Sequence, residues 1–299
     1  MGIELSGWPA HPPASTIVGA MSFRLDDVAL PSGTLRLGRA GTDDGTPVVL
    51  VHGLSSSHEC WARLLPEWAG RPGPVLAPDL PGFGGSDPVG DGYDVARVAD
   101  ALVAGLDALG VARFDLVGHS LGGLVSTVLA DRHPDRVGRL VLVAAAGIDP
   151  YRGARLSVVG DMADRLMRLR RRLGPGLAGR RRARVLMFAS VIDDPEGLSP
   201  ADAQLLIRCS LGARRTGEAL SAALAADLRP LLKRLDAPVG AVWGERDRLI
   251  DVAALDELHR VRPGCPVRFV ERAAHLPMVE RPAAFAEALD GVLSRLPQS

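Results

Sequence analysis

The segment that decides the fold runs from Phe114 to Gly123 and reads FDLVGHSLGG. It opens with a short run of strand length, and the residues after it continue in a helical pattern to about His133. Between the two stands Gly118-His-Ser-Leu-Gly122, a G-x-S-x-G string. A strand, this string and a helix form the arrangement of a nucleophile elbow, a sharp turn that exposes a serine above a sheet. The context therefore predicts that Ser120 is a nucleophile, and it disfavours an ordinary glycine-rich loop.

Short apolar runs bounded by turn residues recur on both sides of this segment. They cover residues 47–51, 75–77, 114–117, 140–144, 239–243 and 267–270. Runs that are apolar on both faces are typical of a parallel sheet covered on both sides. Amphipathic segments of helix length lie between them, such as Asp94 to Leu109, with Asp94 as N-cap and Gly110 as the stop. We predict an α/β fold that begins with a hairpin over residues 23–38 and ends with a helix over residues 282–296.

The alternation of strand and helix is interrupted between Ile148 and Asp236. About four helical segments occur there without a convincing strand. Ser199-Pro200-Ala-Asp202 marks the start of one of them, because a capping serine precedes a proline in the first turn. We predict an all-helical lid over residues 148–235, inserted into a core of residues 21–147 and 236–299. Residues 1–20 are predicted to form an irregular lead-in.

Composition and charge exclude several classes of protein. The 299 residues include 35 basic and 35 acidic ones, so the net charge gives no reason to expect nucleic acid as a partner. Cys60, Cys209 and Cys265 are far apart and lack metal-ligand spacing, so we expect neither a disulfide framework nor a metal site. No long apolar run predicts an integral membrane segment, and no signal peptide is legible, so we expect a cytoplasmic protein. The sequence leaves a homodimer open.

A serine hydroxyl needs a base to become a nucleophile, and the base needs a carboxylate to orient it. Among seven histidines, His275 follows the last predicted strand, at the carboxyl edge where α/β sheets place their sites. Asp247 lies in the loop after strand 239–243 and is the first candidate for the carboxylate. We prefer it to Glu245 and Asp251, and Asp149 is the reserve candidate.

Two backbone N–H groups are candidates to stabilise an oxyanion. The N–H of Leu121 directly follows the nucleophile, and the N–H of Leu54 follows a strand that ends in Val51-His52-Gly53. Gly53 permits the turn that would aim the Leu54 N–H into the same site. We expect His52 to hold this loop by hydrogen bonding, not to act as a base.

Five strings occur in order between about residues 45 and 285: VHGLSSS, PDLPGFGGSD, LVGHSLGG, VWGERDRLID and AAHLPMVERP. Together they resemble the α/β-hydrolase superfamily, specifically its lid-bearing esterases, lipases and C-C hydrolases. The resemblance implies a mostly parallel, eight-stranded doubly wound sheet, the triad Ser120, Asp247 and His275, a helical lid and no cofactor. It also implies a structural role for Asp79. A serine at position 120 disfavours haloalkane dehalogenases and epoxide hydrolases, which use an aspartate nucleophile.

The sequence therefore predicts a serine hydrolase that cleaves a carboxylic ester or related small acyl substrate through an acyl-enzyme. C-C bond hydrolysis, lactone hydrolysis and cofactor-free perhydrolysis can use the same triad and stay open. Leu276-Pro277 after the histidine weakens the C-C alternative, because related C-C hydrolases often carry an aromatic residue there. A non-catalytic small-molecule receptor on a hydrolase scaffold is the alternative from another class.

The predicted lid is strongly basic. Residues 151–184 contain eleven arginines and two aspartates, while apolar residues recur at near-helical spacing. This pattern favours a helix with a solvated basic face, and it leaves open an entrance that attracts anionic substrates or an anionic membrane surface. For the substrate pocket, we predict an apolar lining from Leu54, Trp61, Met162, Met187, Phe188 and Met278.

Overall fold

The structure, a computed structural model, describes residues 22–149 and 156–298, without the side chains of residues 156–164 and 166. The lead-in predicted for residues 1–20 lies outside the described residues. The strands are β1 Arg24–Leu30, β2 Gly33–Gly41, β3 Val48–Val51, β4 Pro74–Pro78, β5 Phe114–His119, β6 Val137–Val143, β7 Val239–Gly244 and β8 Val267–Val270. The helices are α1 Val95–Ala108, α2 Leu121–Arg132, α3 Leu156–Leu177, α4 Arg181–Phe188, α5 Pro200–Ser210, α6 Thr216–Ala225, α7 Arg229–Arg234, α8 Ala254–Val261, α9 Pro277–Glu280 and α10 Pro282–Leu293. Short 3-10 helices span His58–Trp61 and Pro134–Arg136.

All eight strands belong to one sheet, in the order β1-β2-β4-β3-β5-β6-β7-β8. The pairs β1·β2 and β2·β4 are antiparallel, and every pair from β4 to β8 is parallel. The first two strands form the predicted hairpin, which turns at Gly33 with a φ of 125°. The structure thus confirms the predicted α/β fold with a mostly parallel eight-stranded sheet.

Both faces of the sheet are buried. Along β3, Val49 and Val51 pack into one apolar cluster, whereas Val48 and Leu50 pack into a second cluster on the opposite face. Side chains of α1, α2 and α8 complete the first cluster, and side chains of α10 and of the His58–Trp61 helix join the second. Burial on both faces explains why these strands are continuous apolar runs without alternation.

Two helix starts follow the predicted capping chemistry. The Asp94 carboxylate accepts hydrogen bonds from the N–H groups of Ala96 at 2.9 Å and Arg97 at 3.2 Å, where α1 begins. The Ser199 hydroxyl accepts from Asp202 N–H at 3.0 Å, where α5 begins. Each cap satisfies N–H groups that the first turn of a helix leaves unpaired.

Between β6 and β7 the described chain is helical, as the sequence predicts. Helices α3 to α6, which we call the helical insertion, pack on one another, and α5 also contacts the 3-10 helix at His58–Trp61. Helix α7 instead packs against α2 and α8 of the core. The insertion leaves and rejoins the core at one point, because Leu228 N–H donates to the Gly147 carbonyl at 2.7 Å. The predicted boundary at residue 235 therefore lies one helix beyond this closing contact.

Candidate active site

The turn between β5 and α2 holds Ser120 in an unusual backbone conformation. Ser120 has φ 53° and ψ −118°, a region that side-chain-bearing residues rarely occupy. Its N–H donates to the Val143 carbonyl at 2.9 Å, and its carbonyl accepts from Gly123 N–H at 2.9 Å. A Cβ on Gly122 would lie 2.3 Å from the Val51 carbonyl oxygen, so this position admits only glycine. The strained serine and the glycine after it are the geometry that the G-x-S-x-G string predicts.

The structure brings the three predicted triad residues to one place. Nδ1 of His275 lies 2.8 Å from Oδ2 of Asp247, and both side chains are almost fully buried. Because a carboxylate only accepts hydrogen bonds, Nδ1 of His275 is the donor, which leaves Nε2 as the ring nitrogen that can accept a proton. Oδ1 of Asp247 accepts from the N–H groups of Leu249 at 2.8 Å and Ile250 at 3.0 Å. Ser120 and His275 line the same cavity.

Glu280 holds the loop that carries His275, a role that the sequence reasoning missed. Its Oε1 accepts from the N–H groups on either side of the histidine, Ala274 at 2.9 Å and Leu276 at 3.3 Å. Its Oε2 accepts from Asp193 N–H at 2.7 Å, just beyond α4. Burial raises the pKa of Glu280, and these hydrogen bonds oppose the rise. The spacing of Glu280 five residues after the histidine, within AAHLPMVERP, was the available signal.

His119 also holds the loop that carries His275. Its Nε2 donates to the His275 carbonyl at 2.8 Å, and the two rings lie 4.8 Å apart. Trp61 packs edge-on against the His119 ring at 6.4 Å. Burial, and then the neighbouring His275, lower the pKa of His119 well below its usual value. His119 is therefore a neutral packing residue, as its place next to the elbow predicts.

His52 fixes the direction of the Leu54 N–H. Its Nδ1 donates to the Gly53 carbonyl at 2.8 Å, and its Nε2 accepts from Leu80 N–H at 2.9 Å. The Gly53 carbonyl and the Leu54 N–H belong to one trans peptide unit and point in opposite directions. Anchoring the carbonyl therefore turns the N–H of Leu54 the other way. Leu121 is the first residue of α2, where N–H groups have no partner within the helix.

Asp79 is a structural residue, as the resemblance implies. Its Oδ1 accepts from His58 N–H at 2.6 Å and lies 2.9 Å from His58 Nδ1, while Oδ2 accepts from Gly85 N–H at 2.8 Å. Burial acts to raise the pKa of Asp79, but the hydrogen bond with His58 and the charges nearby bring it below its usual value. A carboxylate with these partners clamps two loops together.

The other candidate carboxylates take different places. Glu245 accepts from Arg272 N–H at 3.4 Å and is exposed. Asp251 accepts from Ala253 N–H at 2.8 Å, and both Asp251 and Asp149 line the cavity near Ser120. The carboxylate that is hydrogen-bonded to His275 is Asp247.

A cavity of about 800 Å³ lies between the core and the helical insertion, in front of Ser120. Its core side includes Leu54, Leu121 and His275 together with Asp149 and residues 249–251. Its other side comes from the insertion and is lined by Met167, Arg170, Leu206, Cys209, Leu220, Ala223 and Leu224. Most of these side chains are apolar, so the cavity suits a hydrocarbon chain.

The predicted pocket lining needs correction. Leu54 lines the cavity, but Trp61, Met187, Phe188 and Met278 do not. Trp61, Phe188 and Met278 are fully buried in the second apolar cluster, against which Met187 packs. The side chain of Met162 lies outside the described residues. The actual lining depends on which face each insertion helix turns inward, and packing between helices decides that face.

The three cysteines are buried free thiols. Within residues 22–149 and 156–298, no helix combines the length and the apolar character that crossing a membrane requires.

The model of the alpha/beta hydrolase family matches residues 48–288. The chain belongs to the alpha/beta hydrolase family. Among its relatives is the pimeloyl-[acyl-carrier protein] methyl ester esterase of Neisseria meningitidis serogroup C, with 33% identity over 250 residues, 80% of this chain and 90% of the relative. The 2-hydroxymuconate semialdehyde hydrolase of Pseudomonas sp. strain CF600 is 42% identical over 108 residues, 35% of this chain and 38% of that protein.

A solved esterase from Rhodococcus sp. ECU1013 superposes on this alpha/beta hydrolase with a TM-score of 0.70 at 29% identity, covering 93% of this chain and 100% of the esterase. The family, its esterase relatives and the fold identify the protein as a hydrolase that acts on esters. They confirm the predicted enzyme class, an alpha/beta hydrolase that acts on esters.

Proposed function

We propose that Ser120, His275 and Asp247 form the catalytic triad of this alpha/beta hydrolase, which cleaves a carboxylic ester through an acyl-enzyme. The observation that carries the proposal is the 2.8 Å hydrogen bond between His275 Nδ1 and Asp247 Oδ2 beside a strained Ser120. Family membership supports the same assignment. The cavity in front of the serine gives the substrate a place to bind.

In the first half of the reaction, Ser120 Oγ attacks the carbonyl carbon of the ester. Nε2 of His275 takes the serine proton, and the Asp247 carboxylate stabilises the imidazolium that forms. The tetrahedral intermediate then collapses, and the C–O bond to the alcohol breaks. His275 gives the proton to the leaving alcohol, which leaves the acyl group on Ser120.

The second half repeats these steps with water as the nucleophile. His275 takes a proton from the water, the hydroxide attacks the acyl-enzyme, and Ser120 leaves with the proton as the free acid forms. In both halves the Leu121 and Leu54 N–H groups are proposed to donate to the oxyanion. The N-terminus of α2 adds a favourable dipole for that negative charge.

Replacing Ser120 tests this proposal. With p-nitrophenyl esters of short and medium acyl chains, Ser120→Ala should lose about 10⁴-fold in kcat or more. A fluorophosphonate probe should label the wild type and not the variant. Ser190→Ala is the matched control, because Ser190 also lines the cavity but is exposed. Undiminished turnover by Ser120→Ala would remove the serine from its role, and a wild type without labelling or turnover would favour the receptor alternative.

Hydrolysis of a C–C bond is the second candidate, because the chain shares 42% identity over 108 residues with 2-hydroxymuconate semialdehyde hydrolase. The same triad can serve such a substrate. A vinylogous β-diketone acid, followed by its loss of absorbance, separates the two reactions. A higher kcat/KM for this compound than for any ester of the p-nitrophenyl series would make C–C cleavage the main activity.

The division into core and lid, the cytoplasmic location and the homodimer stay predictions. Fractionation of cells and sedimentation of the purified protein would test the last two.

A further inference from the structure

One charged side chain in the cavity lining has no partner of opposite charge among the side chains that the structure describes. Arg170 lies on α3 and lines the cavity with Met167, one turn earlier on the same helix. Its guanidinium stacks over the Phe188 ring at 4.6 Å, and Nη2 lies 3.5 Å from the Leu206 carbonyl. Its Nε is buried and has no hydrogen-bond partner. Among the described side chains, no carboxylate contributes to its electrostatic surroundings.

The surroundings do not neutralise this guanidinium. Burial lowers the pKa of Arg170 to about 10, so the group stays charged at neutral pH. The neighbouring Cys209 cannot act as its counter-ion, because burial raises the pKa of that thiol to about 12. A partly buried charge without a counter-ion is costly to keep in a folded protein. Its position in a substrate-sized cavity indicates that a ligand supplies the missing negative charge.

We propose that Arg170 binds a free carboxylate on the substrate, so that this enzyme hydrolyses half-esters, which carry one ester and one carboxylate. The inference rests on the proposed function, because the ester group has to lie at Ser120. The planar fork of a guanidinium matches a carboxylate with two parallel hydrogen bonds. Leu220 and Leu224 of α6 line the same cavity and offer apolar surface for a methylene chain.

The charges of the lining orient such a substrate. Among the described lining residues, the acids are Asp149 and Asp251, which come from loops of the core, whereas Arg170 comes from the helical insertion. A free carboxylate is repelled by the acids and attracted by the arginine. The carboxylate therefore lies toward α3, and the ester lies toward Ser120.

A matched pair of substrates tests the proposal. The p-nitrophenyl monoester of adipic acid and p-nitrophenyl hexanoate have the same number of acyl carbons and differ in a terminal carboxylate or methyl group. Arg170→Met should lower kcat/KM for the adipic monoester by about 10- to 100-fold and leave the hexanoate within about threefold. Arg170→Lys keeps the charge but loses the fork, so we expect an intermediate loss confined to the adipic monoester.

Arg172→Met is the matched control, since it removes one exposed positive charge from the same helix. We expect Arg172→Met to change kcat/KM for either substrate by no more than about threefold, and this change should become smaller as the salt concentration increases. Equal losses on both substrates with Arg170→Met would show that Arg170 only packs against Phe188. Equal effects of Arg170→Met and Arg172→Met would mean that a preference for the carboxylated substrate comes from the overall positive charge of the insertion and not from Arg170. Either result overturns the proposal, and so does the absence of a selective loss both with this pair and with the second pair described next.

A second pair places the carboxylate on the alcohol: butyrate esters of 4-hydroxybenzoate and of phenol. An Arg170-dependent preference for the charged member of either pair supports the proposal, and the pair that shows it locates the carboxylate. Failure of the proposed function is distinct, because the wild type would then neither hydrolyse hexanoate nor bind a fluorophosphonate. In that case, calorimetry with adipate still decides, since equal affinity of wild type and Arg170→Met overturns the inference.

Discussion

Replacing His52 by glutamine should change how the stability of the protein depends on pH. The fold holds this imidazole neutral, because Nδ1 donates to the Gly53 carbonyl and Nε2 accepts from Leu80 N–H at 2.9 Å. A second proton on Nε2 would face another N–H donor. Burial lowers the pKa of His52 to about 4, although the nearby Asp79 charge acts in the opposite direction.

The size of the effect follows from the difference between the folded and the unfolded chain. An unfolded histidine has a pKa near 6.5, compared with about 4 for His52 in the folded protein. This difference in pKa corresponds to roughly 3 kcal/mol of unfolding free energy. As the pH falls, the unfolded chain binds the proton first. The stability linked to the neutral ring is therefore complete above about pH 6.5 and is lost progressively as the pH falls to about 4.

Urea unfolding of wild type, His52→Gln and His259→Gln at pH 7.5 and pH 4.5 measures this contribution. Each protein is compared with itself at the two pH values, so any general loss from the substitution cancels. We expect the loss of unfolding free energy to be about 2 to 3 kcal/mol smaller in His52→Gln than in wild type. His259 is exposed, with Nε2 3.3 Å from the Cys265 carbonyl, and serves as control. A pH dependence in His52→Gln equal to that of wild type would refute the reasoning.

Two further predictions concern the elbow and the histidine loop. Gly122→Ala places a Cβ 2.3 Å from the Val51 carbonyl oxygen, so we expect a loss of about 3 kcal/mol or more in urea unfolding, whereas Gly70→Ala, with open space around it, should cost under about 0.5 kcal/mol. Glu280→Gln puts an amide donor against one of three N–H groups, so we expect the free energy of unfolding to fall by about 1 to 3 kcal/mol. Because the His275 loop is then held less well, kcat should fall about tenfold while KM changes little. The exposed Glu287→Gln is its control, and equal effects of the two glutamines would contradict a positioning role.

The sequence was sufficient for the elbow because local sterics decide it. A strand, two small residues around Ser120 and a helix leave few other conformations, so this part of the fold could be predicted. His275 and Asp247 follow strands whose carboxyl ends meet at one edge of the sheet, and topology therefore brings them together. Those predictions depend on connections between neighbouring elements and not on long-range packing.

The cavity lining could not be predicted in the same way. Trp61, Phe188 and Met278 are large and apolar, which suits a pocket and a packed core equally. Their burial depends on where the insertion helices sit. Arg170 is one of eleven arginines in a short stretch, and no local pattern distinguishes the one that turns inward. Its spacing of three residues from Met167 was the only hint that both share a helix face.

The hydrogen bond between Leu228 and Gly147 means that the segment between these two residues could be exchanged as one unit. Gly147 and Leu228, which flank the helical insertion, are in contact. For the core, the insertion is therefore one loop whose two ends stay at the same separation, whatever its length. Closure entropy grows slowly with loop length, so insertions of different size are tolerated at little cost in stability. Grafting at residues 147 and 228 would therefore exchange the insertion's side of the cavity between relatives, and the graft would have to keep the Val191 carbonyl and the Asp193 N–H, which bind His275 N–H and Glu280. The same junction would let selectivity evolve by replacing one segment.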